Sequence, residues 1–541
     1  MPDILLIQPP IEDFYLTAKR TQPYGLAVIA ASLRRCGFSV EIVDALATAK
    51  SRHIPWPGEM AYLSPYYGRS DRSPFGLFHH FRRFGYSLEH IVRRAASSGA
   101  FLIGISSLFS AYSGMALETA AAIGNACPDA WLVLGGHHPT ALPEAVMAHP
   151  AVDFVIRGDG EVGLPLLAEA LRDRGPLDSV PGLVRRKGDG TLKIAPPAVN
   201  TSLDTLPLPA FDLISWKYYQ RSGKGSLSIA ATRGCPLRCS YCAVNASTFH
   251  GYRQRRVTSV LEELDAAISL GPPGLIDFED EHLSADKYWF MELMTGLQNR
   301  LARWRPEVRA MNGLYAPSLD ADMLSEMRKA GFRAVNLALI TTDSNQLKRF
   351  SRPSVTAAMD RVIAWSEALG LDCVAYVIVA GPGQDPLRSV EDLLYLARRR
   401  VLAGVSVFYP APGSRDYRWC REKGLLPATV SRMRATALPL AHQTDRTQAV
   451  TLLRLGRLLN FMKLLLDSGQ ALPQPARSPH KMAAAEDRIA VGKRLLAGFF
   501  HDAGIYGVDA DGRVYSHQVD ISLTRRFREG LAKIALRGTR T

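Results

Sequence analysis

The chain has 541 residues, enough for about three domains, and its 47% hydrophobic content is typical of a soluble globular protein. The 65 basic and 51 acidic residues give a net charge of +14, but no binding motif accompanies this charge, so we expect no nucleic-acid partner. No apolar run approaches the roughly 18 residues of a membrane-spanning helix. Seven cysteines, three of them clustered, argue against a disulfide framework. Because Asp3 interrupts the amino terminus where a secretory leader would be apolar, we expect a cytoplasmic protein.

The first predicted domain, residues 1–173, alternates short apolar strands with helices. Such alternation predicts a parallel, doubly wound α/β sheet of the Rossmann-like type, which binds ligands in the loops at the carboxyl ends of its strands. Gly135 and Gly136 lie in one such loop and would let the backbone approach a bulky ligand. The predicted strands are 4–7, 39–43, 101–106, 131–134 and 153–156, and the predicted helices are 25–35, 111–125 and one that begins after Gly160.

An insertion at residues 55–90 is rich in aromatic residues and contains His79 and His80. It could form a lid over the ligand of the first domain, a wall of an apolar substrate pocket, or a small satellite core packed on that domain. The proline-rich residues 174–224 are predicted to be a linker that contains a short hairpin.

Three cysteines, Cys235, Cys239 and Cys242, follow the predicted strand 226–231 with the spacing C-x3-C-x2-C. Three thiolates cannot complete the four-cysteine shell usual for a [4Fe–4S] cluster or a structural zinc. One metal position would therefore stay open, which favours a catalytic role for the metal site over a structural one. A structural zinc site or unrelated buried thiols is the alternative.

The segment from Cys235 to Cys242, including Tyr241 before the third cysteine, resembles the cluster loop of the radical S-adenosylmethionine (SAM) enzymes. The resemblance implies that the three thiolates hold a [4Fe–4S] cluster whose fourth iron is chelated by SAM. It also implies that an electron donor such as flavodoxin or ferredoxin reduces the cluster, which cleaves SAM to methionine and a 5′-deoxyadenosyl radical.

Residues 225–424 continue the alternation and predict a partial (β/α)6 barrel, in which active groups lie at the carboxyl ends of the strands. After the cluster strand, the predicted strands are 274–278, 309–312, 334–339, 373–379 and 405–409, and a helix is predicted at 258–270.

By the same resemblance, Glu279 and Asp280, with Glu281 beside them, are candidates to hold the SAM amino group after the second strand. A solvated helix start is the alternative. Many relatives carry Gly-x-Glu-Ser at the end of the fourth strand, but this chain has Ala-Leu-Ile-Thr at 338–341. The side chain of Ile340 cannot hydrogen-bond, so SAM would be held there by Thr341, Thr342 or other groups. Gly381 and Pro382 resemble the turn that lines the adenine.

A second resemblance concerns the first domain. The motif Gly-Gly-x-His-Pro-Thr at 135–140, Glu144, Arg-Gly-Asp-Gly-Glu at 157–161 and Pro-Tyr-Gly-Leu at 23–26 are similar to the cobalamin-binding domain that precedes many radical SAM barrels. It implies cobalamin binding by Gly135, Gly136 and His137. Since the chain lacks a D-x-H-x-x-G motif, the cobalamin should be base-off, with His137 and His138 capping the loop or packing on the corrin rather than binding cobalt. A plain flavodoxin-like domain is the alternative.

Residues 425–541 are predicted to be mostly helical and to shape the substrate site. A helix at 447–467 could face the core or a membrane surface, and a linker at 471–479 precedes a predicted hairpin at 505–515.

The resemblances cover about residues 1–425 and imply a cobalamin-dependent radical SAM enzyme. The expected reaction is methylation of an unactivated carbon of a small molecule, lipid or peptide, through the 5′-deoxyadenosyl radical and methylcobalamin. Oxidative cyclisation or ring rearrangement without methyl transfer is the main alternative, and cobalamin sensing is another. No side chain is identified as catalytic.

Overall fold

A computed structural model of the chain describes residues 1–15, 22–244, 251–482 and 487–539. Its strands, numbered along the chain, are β1 Ile4–Gln8, β2 Ile11–Asp13, β3 Val40–Asp44, β4 Ser51–His53, β5 Arg82–Phe84, β6 Leu102–Ser106, β7 Trp131–Gly135, β8 Phe154–Ile156, β9 Leu183–Arg186, β10 Leu192–Ile194, β11 Gln220–Arg221, β12 Lys224–Ile229, β13 Thr232–Arg233, β14 Arg253–Gln254, β15 Pro273–Phe278, β16 Glu307–Arg309, β17 Ala334–Ile340, β18 Asp372–Val379, β19 Leu402–Val407, β20 Tyr506–Val508 and β21 Val514–Ser516.

The α-helices of the described residues are Tyr24–Arg35, Ser64–Tyr67, Leu88–Ser98, Ser113–Ala126, His137–Ala141, Pro143–Met147, Gly160–Arg172, Val257–Ile268, Lys287–Leu301, Ala321–Ala330, Ser344–Arg349, Thr356–Ala368, Pro386–Ala397, Arg415–Glu422, Arg446–Asp467, Arg488–Asp502 and Ile521–Leu531. Most of the long ones alternate with parallel strands, as the sequence predicts.

The first sheet has the strand order β10-β9-β8-β7-β6-β1-β3. Strands β3, β1, β6, β7 and β8 are parallel, and hydrophobic clusters cover both faces of the sheet. The predicted doubly wound domain is therefore confirmed. The hairpin of the predicted linker, β9 and β10, adds antiparallel strands to the edge of this sheet beside β8.

The six parallel strands of the predicted barrel form two sheets, β12-β15-β16 and β17-β18-β19. Single parallel bridges at Val308–Phe332 and Leu314–Leu337 connect them between the third and fourth strands. The third and sixth strands end earlier than predicted, at Arg309 and Val407, because the chain leaves the ladder there and continues as loops at the carboxyl edge. The partial barrel itself is confirmed.

The carboxyl-terminal helix Arg446–Asp467 is buried along most of its length, so the core-facing interpretation is confirmed. No helix in the described ranges is both long and apolar enough to cross a bilayer. The aromatic insertion packs against this helix: the Phe75 and Phe461 rings are 5.4 Å apart, and Arg454 donates to the carbonyls of Phe75 and Tyr66 at 3.2 and 3.0 Å. The insertion therefore shares the core of the barrel and the carboxyl-terminal region, and of the alternatives for it, a separate satellite core packed on the first domain is not what the structure shows.

Candidate functional site

The loop after β7 is held against the loop after β6. Gly136 has a φ of +118°, and a Cβ there would lie 2.6 Å from the carbonyl oxygen of Ser107, so this position requires glycine. The next turn is tied to the same place, because the His138 N–H donates to that Ser107 oxygen at 3.2 Å. The His138 ring lies 3.0 Å from the Ser110 hydroxyl, and burial lowers its pKa to about 4. His138 therefore caps the loop as a neutral imidazole.

His137 follows Gly136 in this loop, and its side chain is accessible to solvent. Desolvation lowers its pKa, and the charges of Glu281 and Asp159 oppose that shift. A direct contact joins the two domains nearby: Glu281, after β15, accepts a hydrogen bond from the Gly234 N–H, and the adjacent Arg233 pairs with Asp159 of the first domain. The carboxyl-edge loops of the two domains therefore meet at residues 233–234.

The Arg-Gly-Asp-Gly-Glu motif at 157–161 contacts the start of the cluster loop directly. Arg233 forms an ion pair with Asp159 at 3.0 Å and a second, shorter one with Glu161. Arg253 on the paired strand β14 also binds Asp159, at 3.1 Å. This network is largely buried and fixes the cluster loop relative to the first sheet. Sequence reasoning missed it, because no pattern pairs residues so far apart in the chain.

The three cysteines lie within one loop, with Cys239 buried and Cys235 and Cys242 half-buried. Desolvation raises the pKa of Cys235 and raises that of Cys242 to about 11. Within the described ranges no three His, Cys, Asp or Glu side chains converge on a single-ion site. Three cysteines in one loop are a donor set that fits a [4Fe–4S] cluster, in which each cysteine binds a different iron and one iron stays open.

The acidic group after β15 holds the strand that leads into the cluster loop. Asp280 is buried and accepts hydrogen bonds from the Thr232 N–H and hydroxyl, both at 2.5 Å, and from the Ala231 N–H at 3.3 Å. Burial raises its pKa to about 7. Glu281 accepts from the Gly234 N–H at 3.0 Å, and the half-buried Glu279 precedes both. The alternative of a solvated helix start is thereby excluded.

At the end of the fourth barrel strand, Ile340 has a φ of +73°, and the register with β18 shifts between Ala338 and Ile340. A left-handed conformation is rare for a β-branched residue. Thr341 is buried next to it, and its hydroxyl accepts from the Asp343 N–H at 3.1 Å. The sequence identifies Ile340 as unusual in chemistry but carries no signal for this backbone.

The turn after β18 is fixed against the segment that follows the fourth strand. The Gly381 N–H donates to Gln384 Oε1 at 2.8 Å, and the Pro382 carbonyl accepts from Arg349 Nε at 2.7 Å. A Cβ on Gly381 would lie 2.7 Å from the Phe350 ring, so this position too requires glycine. Gly381 and Pro382 thus lie beside the end of the fourth strand.

Several large apolar side chains that the sequence analysis did not single out are exposed just beyond strand ends. Leu108 and Phe109 follow β6, Met311 follows β16, and Tyr409 follows β19. Desolvation raises the pKa of the Tyr409 hydroxyl, and the Cys242 thiolate adds to this shift. The signal in the sequence that could have identified them is a large apolar residue directly after a predicted parallel strand, where the carboxyl edge lies.

Two protein-family models match the chain. The B12 binding domain model matches residues 79–168, and the Radical SAM superfamily model matches residues 229–396. Together with the two sheets and the three-cysteine loop, these matches define the class: the chain belongs to the radical SAM enzymes that carry an amino-terminal B12-binding domain.

Some of the similar proteins are methyl-transferring enzymes by name, and others are anaerobic magnesium-protoporphyrin IX monomethyl ester cyclases, whose matches cover 41–53% of this chain. The hopanoid C-3 methylase of Methylococcus capsulatus is 25% identical over 406 residues, which cover 74% of this chain and 68% of the relative. The cytidylyl-2-hydroxyethylphosphonate methyltransferase of Streptomyces wedmorensis is 24% identical over 475 residues, which cover 80% and 84%. The radical SAM methyltransferase TsrM from Kitasatospora setae, solved with cobalamin and a [4Fe–4S] cluster, matches with a TM-score of 0.58 at 18% identity. That match covers 78% of this chain and 75% of TsrM, and it shows the shared fold.

Proposed function

We propose that this protein is a cobalamin-dependent radical SAM methyltransferase that methylates an unactivated carbon of a small-molecule substrate. The observation that carries the proposal is the contact at residues 233–234, where Arg233 pairs with Asp159 of the B12-binding domain and the Gly234 N–H, at the start of the cluster loop, donates to Glu281. Relatives that match about three quarters of the chain or more are a methylase and a methyltransferase, which favours methyl transfer over cyclisation.

The proposed site divides among three groups of residues. When bound, the three cofactors supply a 5′-deoxyadenosyl radical and a transferable methyl group. The [4Fe–4S] cluster is assigned to Cys235, Cys239 and Cys242, SAM to Glu279, Asp280, Thr341, Gly381 and Pro382, and cobalamin to Gly135, Gly136 and His137.

Within this assignment, Asp280 acts mainly as a positioning residue for SAM and the cluster. Its carboxylate oxygens accept three hydrogen bonds from residues 231 and 232, so they fix the strand that enters the cluster loop. Glu279 precedes it on the same loop at the carboxyl edge of the sheet and is the better candidate for direct contact with the SAM amino group.

The substrate is proposed to enter the cleft between the two sheets. The exposed Leu108, Phe109 and Met311 at the strand ends offer an apolar lining, which would exclude water from a reactive radical. This lining suits an apolar part of a small molecule, a lipid or a peptide. A flavodoxin or ferredoxin is the proposed electron donor, since acidic proteins of this kind complement the net charge of +14.

The proposal is tested anaerobically with reconstituted protein, cobalamin, a low-potential reductant and methyl-labelled SAM. We expect both 5′-deoxyadenosine and S-adenosylhomocysteine to form. The Cys239→Ala variant should lose 5′-deoxyadenosine, whereas the same change at Cys127, half-buried at a helix end away from the loop, should keep it.

Each other outcome has a definite meaning. If 5′-deoxyadenosine forms without S-adenosylhomocysteine, the methyl-transfer proposal fails and cyclisation or rearrangement takes its place. If the Cys239→Ala variant still produces 5′-deoxyadenosine, the assigned cluster site is wrong.

A further inference from the structure

One buried arginine lies against a cysteine of the cluster loop. Arg352 Nη1 is 3.4 Å from Cys239 Sγ, and Arg352 Nη2 donates to the Ala338 carbonyl at 2.9 Å. The third guanidinium nitrogen, Nε, is buried and has no hydrogen-bond partner among the described residues. Leaving a buried charged donor unpaired is costly, so the guanidinium needs a nearby negative charge to be stable here.

Among the described residues Arg352 has no carboxylate partner; its guanidinium lies 5.5 Å from the centre of the Tyr315 ring and contacts the Cys239 sulfur. As a cluster ligand, Cys239 is a thiolate, so its sulfur is the negative charge that the guanidinium contacts. Cys239 therefore has a cationic donor at its sulfur, whereas the negative charge of Glu281 contacts the same loop at Gly234.

The cluster loop is held in place by contacts that do not involve the Arg352 side chain. The cluster loop docks onto residues 349–350 through the Ser240 N–H, which donates to the Phe350 carbonyl at 2.9 Å, and the Ser240 hydroxyl, which donates to the Arg349 carbonyl at 3.2 Å. Asp416 accepts from the same hydroxyl at 2.8 Å. A variant at position 352 should therefore keep the loop in place.

We propose that Arg352 is a positioning residue that raises the reduction potential of the cluster by compensating the negative charge at Cys239. Reduction transfers one electron from an external low-potential donor to the cluster and adds one negative charge to the cluster and its thiolates. A fixed cation beside one thiolate stabilises that added charge, because hydrogen bonds and charges near the sulfurs set such potentials. The contact with Ala338 also ties Cys239 to the strand that ends at Ile340, just before Thr341 on the proposed SAM side of the site. This inference rests on the proposed assignment of the cluster.

The test is a redox titration of the reconstituted full-length protein without SAM or cobalamin, followed by the EPR signal of the reduced cluster. We expect Arg352→Met to move the midpoint potential to a more negative value. Arg352→Lys, which keeps the charge but not the two-pronged contact, should lie between Arg352→Met and the wild type. Lys348→Met removes the same charge from an exposed position on the same segment and should leave the potential unchanged.

The outcomes distinguish a failure of the inference about Arg352 from a failure of the cluster assignment on which it rests. An unchanged potential in Arg352→Met with wild-type iron content overturns the inference, and so does an equal shift in Lys348→Met. Should Arg352→Met fail to hold the cluster, Arg352→Gln, which keeps an N–H donor for Ala338, takes its place under the same criterion. If instead Cys239→Ala binds iron and gives the wild-type EPR signal, the cluster assignment itself fails.

Discussion

Gly136 shows how one residue can set the path of a loop, here the proposed cobalamin-binding loop. Its φ of +118° lies in a region that other residues rarely adopt, and the Ser107 carbonyl occupies the space of a side chain. At position 136 the loop can therefore present only its backbone to the proposed cobalamin.

We predict that Gly136→Ala lowers the free energy of unfolding by about 2 kcal/mol, because strain and the contact with Ser107 add. It should also reduce the cobalamin that stays bound through gel filtration. Gly114 is the matched control: it is exposed in the helix Ser113–Ala126 with nothing within 4 Å of its Cβ position. Gly114→Ala should be neutral or stabilising by roughly 0.5–1 kcal/mol, and equal losses in both variants would contradict the argument.

Some site residues could be predicted from the sequence and others could not. Cysteine spacing and glycine pairs are local patterns, so Cys235, Cys239, Cys242, Gly135 and Gly136 could be singled out directly. Arg352 and Ile340 could not. The role of Arg352 depends on a contact with a residue more than 100 positions away, and the left-handed backbone of Ile340 comes from the register shift against β18.

At the scale of elements, the ion pairs of Arg233 join the two sheets. Arg233 immediately precedes the cluster loop, and its guanidinium forms ion pairs with two carboxylates of the first domain, those of Asp159 and Glu161. Breaking a buried pair leaves uncompensated charge in a poorly solvated place, which costs more than losing a surface pair.

We predict that Arg233→Met lowers the free energy of unfolding by about 3 kcal/mol, measured by urea denaturation of the cofactor-free protein. Asp159 keeps Arg253, so Glu161 bears most of the loss. The control is Arg34→Met, which breaks the solvent-exposed pair with Asp212 at 2.9 Å and should cost less than about 1 kcal/mol. Similar costs for the two variants would show that the Arg233 network does not hold the sheets together.

The strands were easier to predict than their partners. Apolar runs flanked by glycine and proline identify the parallel strands within one to three residues, because buried parallel strands are continuously hydrophobic. The linker hairpin was expected, but its addition to the edge of the first sheet depends on the open edge of β8. The packing of the aromatic insertion on the helix Arg446–Asp467 joins segments nearly 400 residues apart and leaves no local trace. The domain boundaries at 173, 224 and 424 stay predictions.

At the scale of the whole molecule, the carboxyl-terminal helix holds the barrel and the chain end together. Lys463 is fully buried on this helix, and its ammonium donates to the carbonyls of Arg399 at 2.5 Å and Arg537 at 2.8 Å. Desolvation lowers its pKa to about 7; Asp467 opposes this shift, and Arg537 and Arg400 add to it.

This pKa predicts a pH dependence of stability with a definite sign. Below about pH 7, Lys463 is protonated in both states, and the folded state carries the full cost of a buried charge. Between about pH 7 and 10.5, the ordinary pKa of a lysine in the unfolded chain, the unfolded state binds more protons, so the free energy of unfolding rises with pH. Urea denaturation should show this rise in the wild type and a weaker one in Lys463→Met. The exposed Lys348→Met variant should keep the wild-type slope. If the free energy of unfolding rises equally in Lys463→Met, the pH dependence belongs to other groups and the prediction is contradicted.

The central claim is that the B12-binding sheet and the cluster loop face one cleft, and EPR of the protein loaded with cob(II)alamin and the reduced cluster tests it most directly. The spectrum of the doubly loaded protein is compared with the sum of the spectra of the two singly loaded forms. We predict a spectrum broadened or split by magnetic interaction between the two centres. A spectrum equal to the sum, with both centres present in full amount, would contradict the shared cleft and the reaction proposed within it.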